Sequence, residues 1–136
     1  MILGLAPLTL AAFGSEKQRV RGRLGSDASN PPELRLSDGR VLALEADGAS
    51  MAVLRDERVI KEVFEAVGES AGADRFRIDP IHQKAMFVVR DGKPLVITYW
   101  CAVCAIRTYS PGKCQCCQEE TELDPREPSL ESGGTR

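Results

Sequence analysis

Five cysteines fall between positions 101 and 117, and their spacing constrains this chain more than any other feature. Cys101-Ala-Val-Cys104 is followed, after nine residues, by Cys114-Gln-Cys116-Cys117. Read as Cys101/Cys104 plus Cys114/Cys117, the pattern is C-x2-C-x9-C-x2-C. Two residues between thiols let one tight turn aim both sulfurs at a single point. Two such turns close a tetrahedral site, the geometry of structural Zn2+. Such a site supplies roughly 10–16 kcal/mol of apparent folding free energy. The whole net stability of a small domain is about 5–15 kcal/mol. A metal would therefore decide whether this end of the chain folds. Cys116 is left over: it can replace Cys114 or Cys117, or remain a free thiol.

Other chemistries use the same thiols. Disulfides suit an oxidising compartment, although five thiols leave one odd and adjacent Cys116-Cys117 would bond only with strain. Iron in the same four sulfurs would make a rubredoxin-like one-electron carrier. A redox-active C-x-x-C needs a thiol at a helix start, whereas here a strand enters the first pair. No His follows either C-x-x-C, which argues against haem attachment.

The remaining chain is one domain's worth. Residues 124–136 carry a single large apolar residue, Leu130, and read as a disordered tail. Residues 1–14 begin with the apolar run Ile2 to Phe13, too short to span a bilayer. That run matches a secretory signal segment cut after Gly14, although no Lys or Arg precedes Lys17. The expectation is an exported or periplasmic protein, or a cytoplasmic one if the segment is retained as a buried element. Formal net charge is -2. Residues 1–50 carry six basic and six acidic side chains, and residues 51–100 carry eight of each. With no basic stripe along the sequence, nucleic acid is not an expected partner.

Turn signals divide the rest into short strands. Val20, Gly22 and Leu24 alternate with Arg19, Arg21 and Arg23, the period of a half-exposed strand. Leu34 to Leu36 and Val41 to Leu44 flank Asp38-Gly39, a hairpin signal. A short helix is expected around Ala52 to Arg58, then a strand from Glu62 to Val67 ending at Gly68. Phe76 and Ile78 mark another strand, stopped by Pro80. Met86 to Val89 and Leu95 to Trp100 flank Asp91-Gly92, a second hairpin that runs into Cys101. Ile106 to Tyr109 is one more strand before the Pro111-Gly112 turn. About five strands with one helix between the third and fourth is the OB plan. The expected fold is mainly β: an OB-like barrel over residues 15–98, then a zinc-binding hairpin over residues 99–123.

Other candidate residues read more plainly. His82, the single histidine, is expected to be exposed or to cap a backbone group. Asp56, Glu57, Glu62 and Glu65 read as a solvated face punctuated by Arg55, Arg58 and Lys61. Glu119, Glu120 and Glu122 would repel a tetrathiolate site and so should point to water. Tyr99, Trp100 and Tyr109 read as the miniature core of the metal site rather than a platform for bases.

Residues 101–117 resemble a zinc-ribbon or rubredoxin-type knuckle pair, with Ala105 and Gln118 standing where such knuckles carry Gly. Residues 20–123 are similar to small uncharacterised bacterial exported proteins with an OB-like domain. Those proteins end in a motif like Tyr99-Trp100-Cys101-x-x-Cys104, Pro111-Gly112-Lys113-Cys114 and Cys116-Cys117-Gln118-Glu119-Glu120. The resemblance implies a fold and a metal but no activity. The functional expectation is a non-catalytic accessory or interaction module, with Zn2+ (alternatively Fe) on Cys101, Cys104, Cys114 and Cys117. It would meet a protein partner, as a subunit of a larger envelope or membrane-associated assembly.

Overall fold

The computed structural model describes residues 17–25 and 31–132. The signal-segment expectation for residues 1–14 and the end of the tail, residues 133–136, lie outside them.

Five strands close a barrel. They are β1 (Gln18–Gly25), β2 (Glu33–Leu36), β3 (Val41–Glu45), β4 (Val63–Gly72) and β5 (Arg75–Ile78). Going round, the order is β1-β2-β3-β5-β4 and back to β1, with β3 and β5 parallel and every other pair antiparallel. This is the OB-like closed barrel expected from the turn spacing. The alternation on β1 works as read: Leu24 is buried, while Arg19, Arg21 and Arg23 are exposed. Leu34, Leu42, Leu44, Phe64, Phe76 and Ile78 complete much of the interior.

Two glycines make closure sterically feasible. A Cβ on Gly22 would lie 2.1 Å from the Arg35 carbonyl oxygen, and one on Gly68 would lie 2.0 Å from that of Arg77. Gly22 is paired on both sides, with Leu36 and with Phe64, and Gly68 with Gln18 and Ile78. Gly68 therefore lies inside a strand and does not end it, which corrects the expected boundary. β4 runs ten residues, with an irregularity between Ser70 and Gly72, because its second half is needed to meet β5.

Two short helices replace the single expected one. α1 (Gly48–Leu54) is capped by Asp47, whose Oδ1 accepts from the Ser50 amide at 2.8 Å. α2 (Glu57–Ile60) is capped by Asp56, whose Oδ1 accepts from the Arg58 amide at 3.0 Å. Together they send Val53, Leu54 and Val59, all fully buried, into the core. A capping carboxylate in mid-segment satisfies the amides that a new helix start leaves open, so the apolar spacing is split between two turns.

β6 (Met86–Arg90) adds to the free side of β4, and β7 (Lys93–Val96) pairs with β6. Their turn places Asp91 and Gly92 at φ 54° and 77°, the backbone a two-residue hairpin favours. The second arm does not run unbroken into Cys101. It stops at Val96, and β8 (Tyr99–Cys101) joins a separate three-stranded sheet, between β9 (Ile106–Thr108) and β10 (Glu122–Leu123).

The tail also begins later than its composition suggests. Val96 and Arg126 exchange backbone hydrogen bonds at 2.7 and 2.9 Å, and the Asp124 amide donates to the Thr98 carbonyl at 2.8 Å. Backbone pairing needs no apolar side chains, so composition could not reveal it. A short helix, α3 (Pro128–Ser132), follows.

The solvated-face reading fails at two carboxylates. The Glu65 side chain is 2% exposed and that of Asp56 is 6%. Glu65 sits on a strand between two partners, where the long arms of Arg19 and Arg21 cover it. Arg21 donates to it from Nε at 2.9 Å and lies 2.7 Å away at Nη2, and Arg19 pairs with its other oxygen.

Candidate metal centre

Each C-x-x-C pair sits on a turn built the same way. In the first, β8 ends at Cys101 and the Ala105 amide returns to the Cys101 carbonyl at 2.8 Å. In the second, the Gln118 amide returns to the Cys114 carbonyl, also at 2.8 Å. Ala105 and Gln118 hold φ at 56° and 67°, the left-handed backbone that Gly adopts at no steric cost. A side chain there costs roughly 1–2 kcal/mol, so surrounding contacts must hold both turns. The second turn is braced by Lys113 bridging Glu120, by the Cys114 amide donating to the Glu119 carbonyl at 2.8 Å, and by buried Thr121. The Thr121 hydroxyl and amide both donate to the Gly112 carbonyl, at 2.7 and 3.1 Å.

These turns bring Cys101, Cys104, Cys114 and Cys117 together, their sulfurs all within 4.8 Å of one another. Cys101 and Cys117 are 3.5 Å apart at sulfur, and all five cysteines are free of disulfides. A tetrahedral thiolate site with metal–sulfur bonds of about 2.3 Å has sulfur–sulfur edges of about 3.8 Å. The cluster is therefore of the right size for one ion. Cys101 and Cys114 are buried, Cys104 and Cys117 half-buried, and Cys116 is exposed beside the four.

Backbone amides point at the sulfurs as a thiolate site requires. The Cys104 amide donates to Cys101 Sγ at 3.4 Å and the Cys116 amide to Cys114 Sγ at 3.4 Å. The amides of Cys117 and Cys116 draw the Cys114 thiol down to about 7. Cys104 is pushed up, first by its hydrogen bond with Cys116 and then by burial. At Cys117 the Glu119 amide pulls downward, but burial and the Cys101 sulfur outweigh it and the thiol is raised. Crowded sulfurs raise one another because each further charge meets those already present, and a divalent cation at their centre removes that conflict.

The knuckle sheet is bolted to the barrel by a link that sequence reasoning missed. Tyr99, fully buried in the barrel's core, donates its hydroxyl to Asp56 Oδ2 at 2.8 Å. Arg58 pairs with the same carboxylate at 3.0 Å and donates to the Thr121 carbonyl at 2.9 Å. Its guanidinium lies 5.3 Å from the centre of the Tyr99 ring. Burial works to raise the Asp56 carboxyl, and the bonds from Arg58 and Tyr99 overcome it, leaving Asp56 below the usual carboxylate range. The Tyr99 phenol is raised, chiefly by burial and then by its bond to Asp56. Asp56 and Tyr99 are 43 residues apart, and no local pattern joins them.

His82 and the three glutamates fall where their plain readings put them, but the aromatics do not gather as a core for the sulfurs: Tyr99 packs in the barrel core, Tyr109 on His82 and Trp100 under Arg107. His82 Nε2 lies 2.9 Å from the Ile97 carbonyl, which it caps, and the ring packs on Tyr109 at 5.3 Å. Burial lowers its basicity, and it takes no part in the sulfur cluster. Glu119, Glu120 and Glu122 are exposed. Trp100 is covered by Arg107, whose guanidinium lies 4.7 Å from the ring centre, so it offers no open face on that side. A cleft of about 440 Å3 opens beside Cys101 and Cys114, but no histidine or carboxylate lines it. Lys113 and Cys116 are the titratable side chains on its wall outside the sulfur cluster. No protein-family model matches this chain, and neither a curated protein nor a solved structure does.

Proposed function

We propose that the chain is a non-catalytic interaction module whose C-terminal knuckles hold one Zn2+ ion on Cys101, Cys104, Cys114 and Cys117. The carrying observation is the convergence of four sulfurs, each within 4.8 Å of the others, from two turns of the same construction. Four protein ligands leave no open position, so the ion would not activate water or a substrate carbonyl. Its role would be to hold β8, β9 and the Pro111-Gly112 turn in register. A closed barrel carrying a sulfur cluster with no open ligand position favours a module that presents surface to a protein partner. An exported location remains part of this reading, and it rests on the apolar run from Ile2 to Phe13.

Elemental analysis of protein purified without added metal tests the site. One equivalent of zinc is expected, with four of the five thiols protected from alkylation until chelator is added. One equivalent of iron with visible thiolate absorption would make it a one-electron carrier instead. Protein free of metal, with five reactive thiols or with cross-linked sulfurs, would overturn the reading.

A further inference from the structure

The arginines of β1 do more than alternate. Arg19 and Arg21 are committed to Glu65. Arg23 donates to the Lys61 carbonyl at 3.0 Å and meets no carboxylate in a salt bridge among the described residues. In the β1–β2 register Arg23 stands directly opposite Arg35, which is exposed and likewise forms no ion pair among the described residues. Like charges facing one another across a ladder destabilise it. Glu62 lies close enough to feel Arg23, but its carboxylate is held by Arg90, with Nε at 3.1 Å.

This arrangement is unusual within the molecule. Arg75 and Arg77 share Glu45, Arg58 holds Asp56, and Arg107 holds Asp124. Those arginines are matched by carboxylates, whereas no salt bridge among the described residues reaches Arg23 or Arg35, although the sequence shows no basic stripe. Beside the pair is a cleft of about 370 Å3, lined by Arg21, Arg23 and Arg35 together with Gly22, Leu36 and Val63. A self-repelling pair beside an apolar hollow is a cost to the free fold that a bound anion removes.

We propose that this cleft docks an acidic, extended segment of a partner protein, whose carboxylates are taken by Arg23 and Arg35. In an extended chain, carboxylates at alternate positions face the same way, about 7 Å apart. An aliphatic residue at the next such position meets Val63, which is paired with Arg23 and so shares its face. Guanidinium–carboxylate pairing supplies the orientation and apolar burial the remaining affinity. The lining has no aromatic ring on which a base could stack, which favours an acidic peptide over a nucleic acid. The surface rests on the interaction-module reading and gives it a partner class. It shares no residue with the sulfur cluster.

The test titrates the full, metal-loaded chain with a labelled synthetic peptide bearing Glu at alternate positions followed by Leu. Saturable binding that weakens with added salt is expected. Arg23→Ala and Arg35→Ala should each weaken it by about fivefold, the size of one partly exposed ion pair. Arg75→Ala, which removes the same charge from a paired arginine, should leave it within about twofold. Arg35→Ala should also raise the melting temperature of the peptide-free protein, because it relieves the repulsion. An equal loss with Arg75→Ala, tighter binding of an oligothymidylate, or no saturation would each overturn the proposal. Metal content is read on the same samples. Failed peptide binding at full metal loading sinks this surface alone, and protein that binds the peptide but carries no metal as purified sinks the zinc reading alone.

Discussion

The barrel and the knuckle sheet are held together by different forces. In the barrel, Leu34, Phe64 and Phe76 are at most 2% exposed and pack around a closed ring of strands. Around the sulfurs, Val103 is 72% exposed and Ile106 is 40% exposed, and β10 is only two residues long. Apolar burial stabilises the first region at roughly 25 cal/mol per Å2. The second has little such area, and its two turns carry left-handed Ala105 and Gln118 besides. One region is held by what it excludes from water, while the other offers four converging sulfurs in place of a core.

The sharpest break in that contrast comes from the sulfurs. Chelation, or Cys101→Ser or Cys114→Ser, should abolish metal binding. The knuckles between residues 101 and 121 should then unfold, a loss on the order of 10 kcal/mol for that region, while the barrel amides keep their protection from hydrogen exchange. Cys116→Ser should leave metal content unchanged, and a larger effect there than at Cys114 would reassign the ligands. The converse break is Gly22→Ala. Its methyl group has nowhere to go against the Arg35 carbonyl, and urea unfolding should show the barrel weaker by about 3 kcal/mol. Metal affinity should change little.

A third change addresses the bolt between the regions. Tyr99→Phe removes the hydroxyl bonded to Asp56 and should cost about 1.5–3 kcal/mol, the worth of a hydrogen bond to a charged group. The pH dependence follows from the lowered Asp56 carboxyl. A depressed folded value means that its stabilisation is fully present above the unfolded value of about 3.9. It is lost as pH falls through the folded value, so Tyr99→Phe should flatten the acid limb of the stability profile. An unchanged limb would leave Arg58 as the whole cause. The smallest effect is a gain: Ala105→Gly or Gln118→Gly should stabilise the metal-loaded sheet by about 1 kcal/mol, measured as resistance to chelator.

Much of this architecture could be read from residue order. Asp38-Gly39 and Asp91-Gly92 announced both hairpins because positive φ is a local demand that few residues meet. The sulfur cluster was equally plain, since C-x2-C spacing encodes a turn. What stayed hidden was non-local. Gly68 looked like a stop because a glycine inside a strand and one at its end are the same letter. Glu65 looked solvated because its cover, Arg19 and Arg21, comes from a strand more than forty residues earlier. The pairing of Val96 with Arg126 uses only backbone atoms and so leaves no mark on composition.

That last pairing has a consequence for how the metal would be acquired. The polypeptide leaves the barrel after Val96 and is stitched back at Arg126, so the cysteines lie on a loop fastened at its base. A tethered loop has already lost part of the freedom that ordering removes. Stripped of its ion, it would keep all four donors in a small shared volume. Reloading would then be a short search by a leashed segment, fast and repeatable, where a loose terminus would have to find its shape anew.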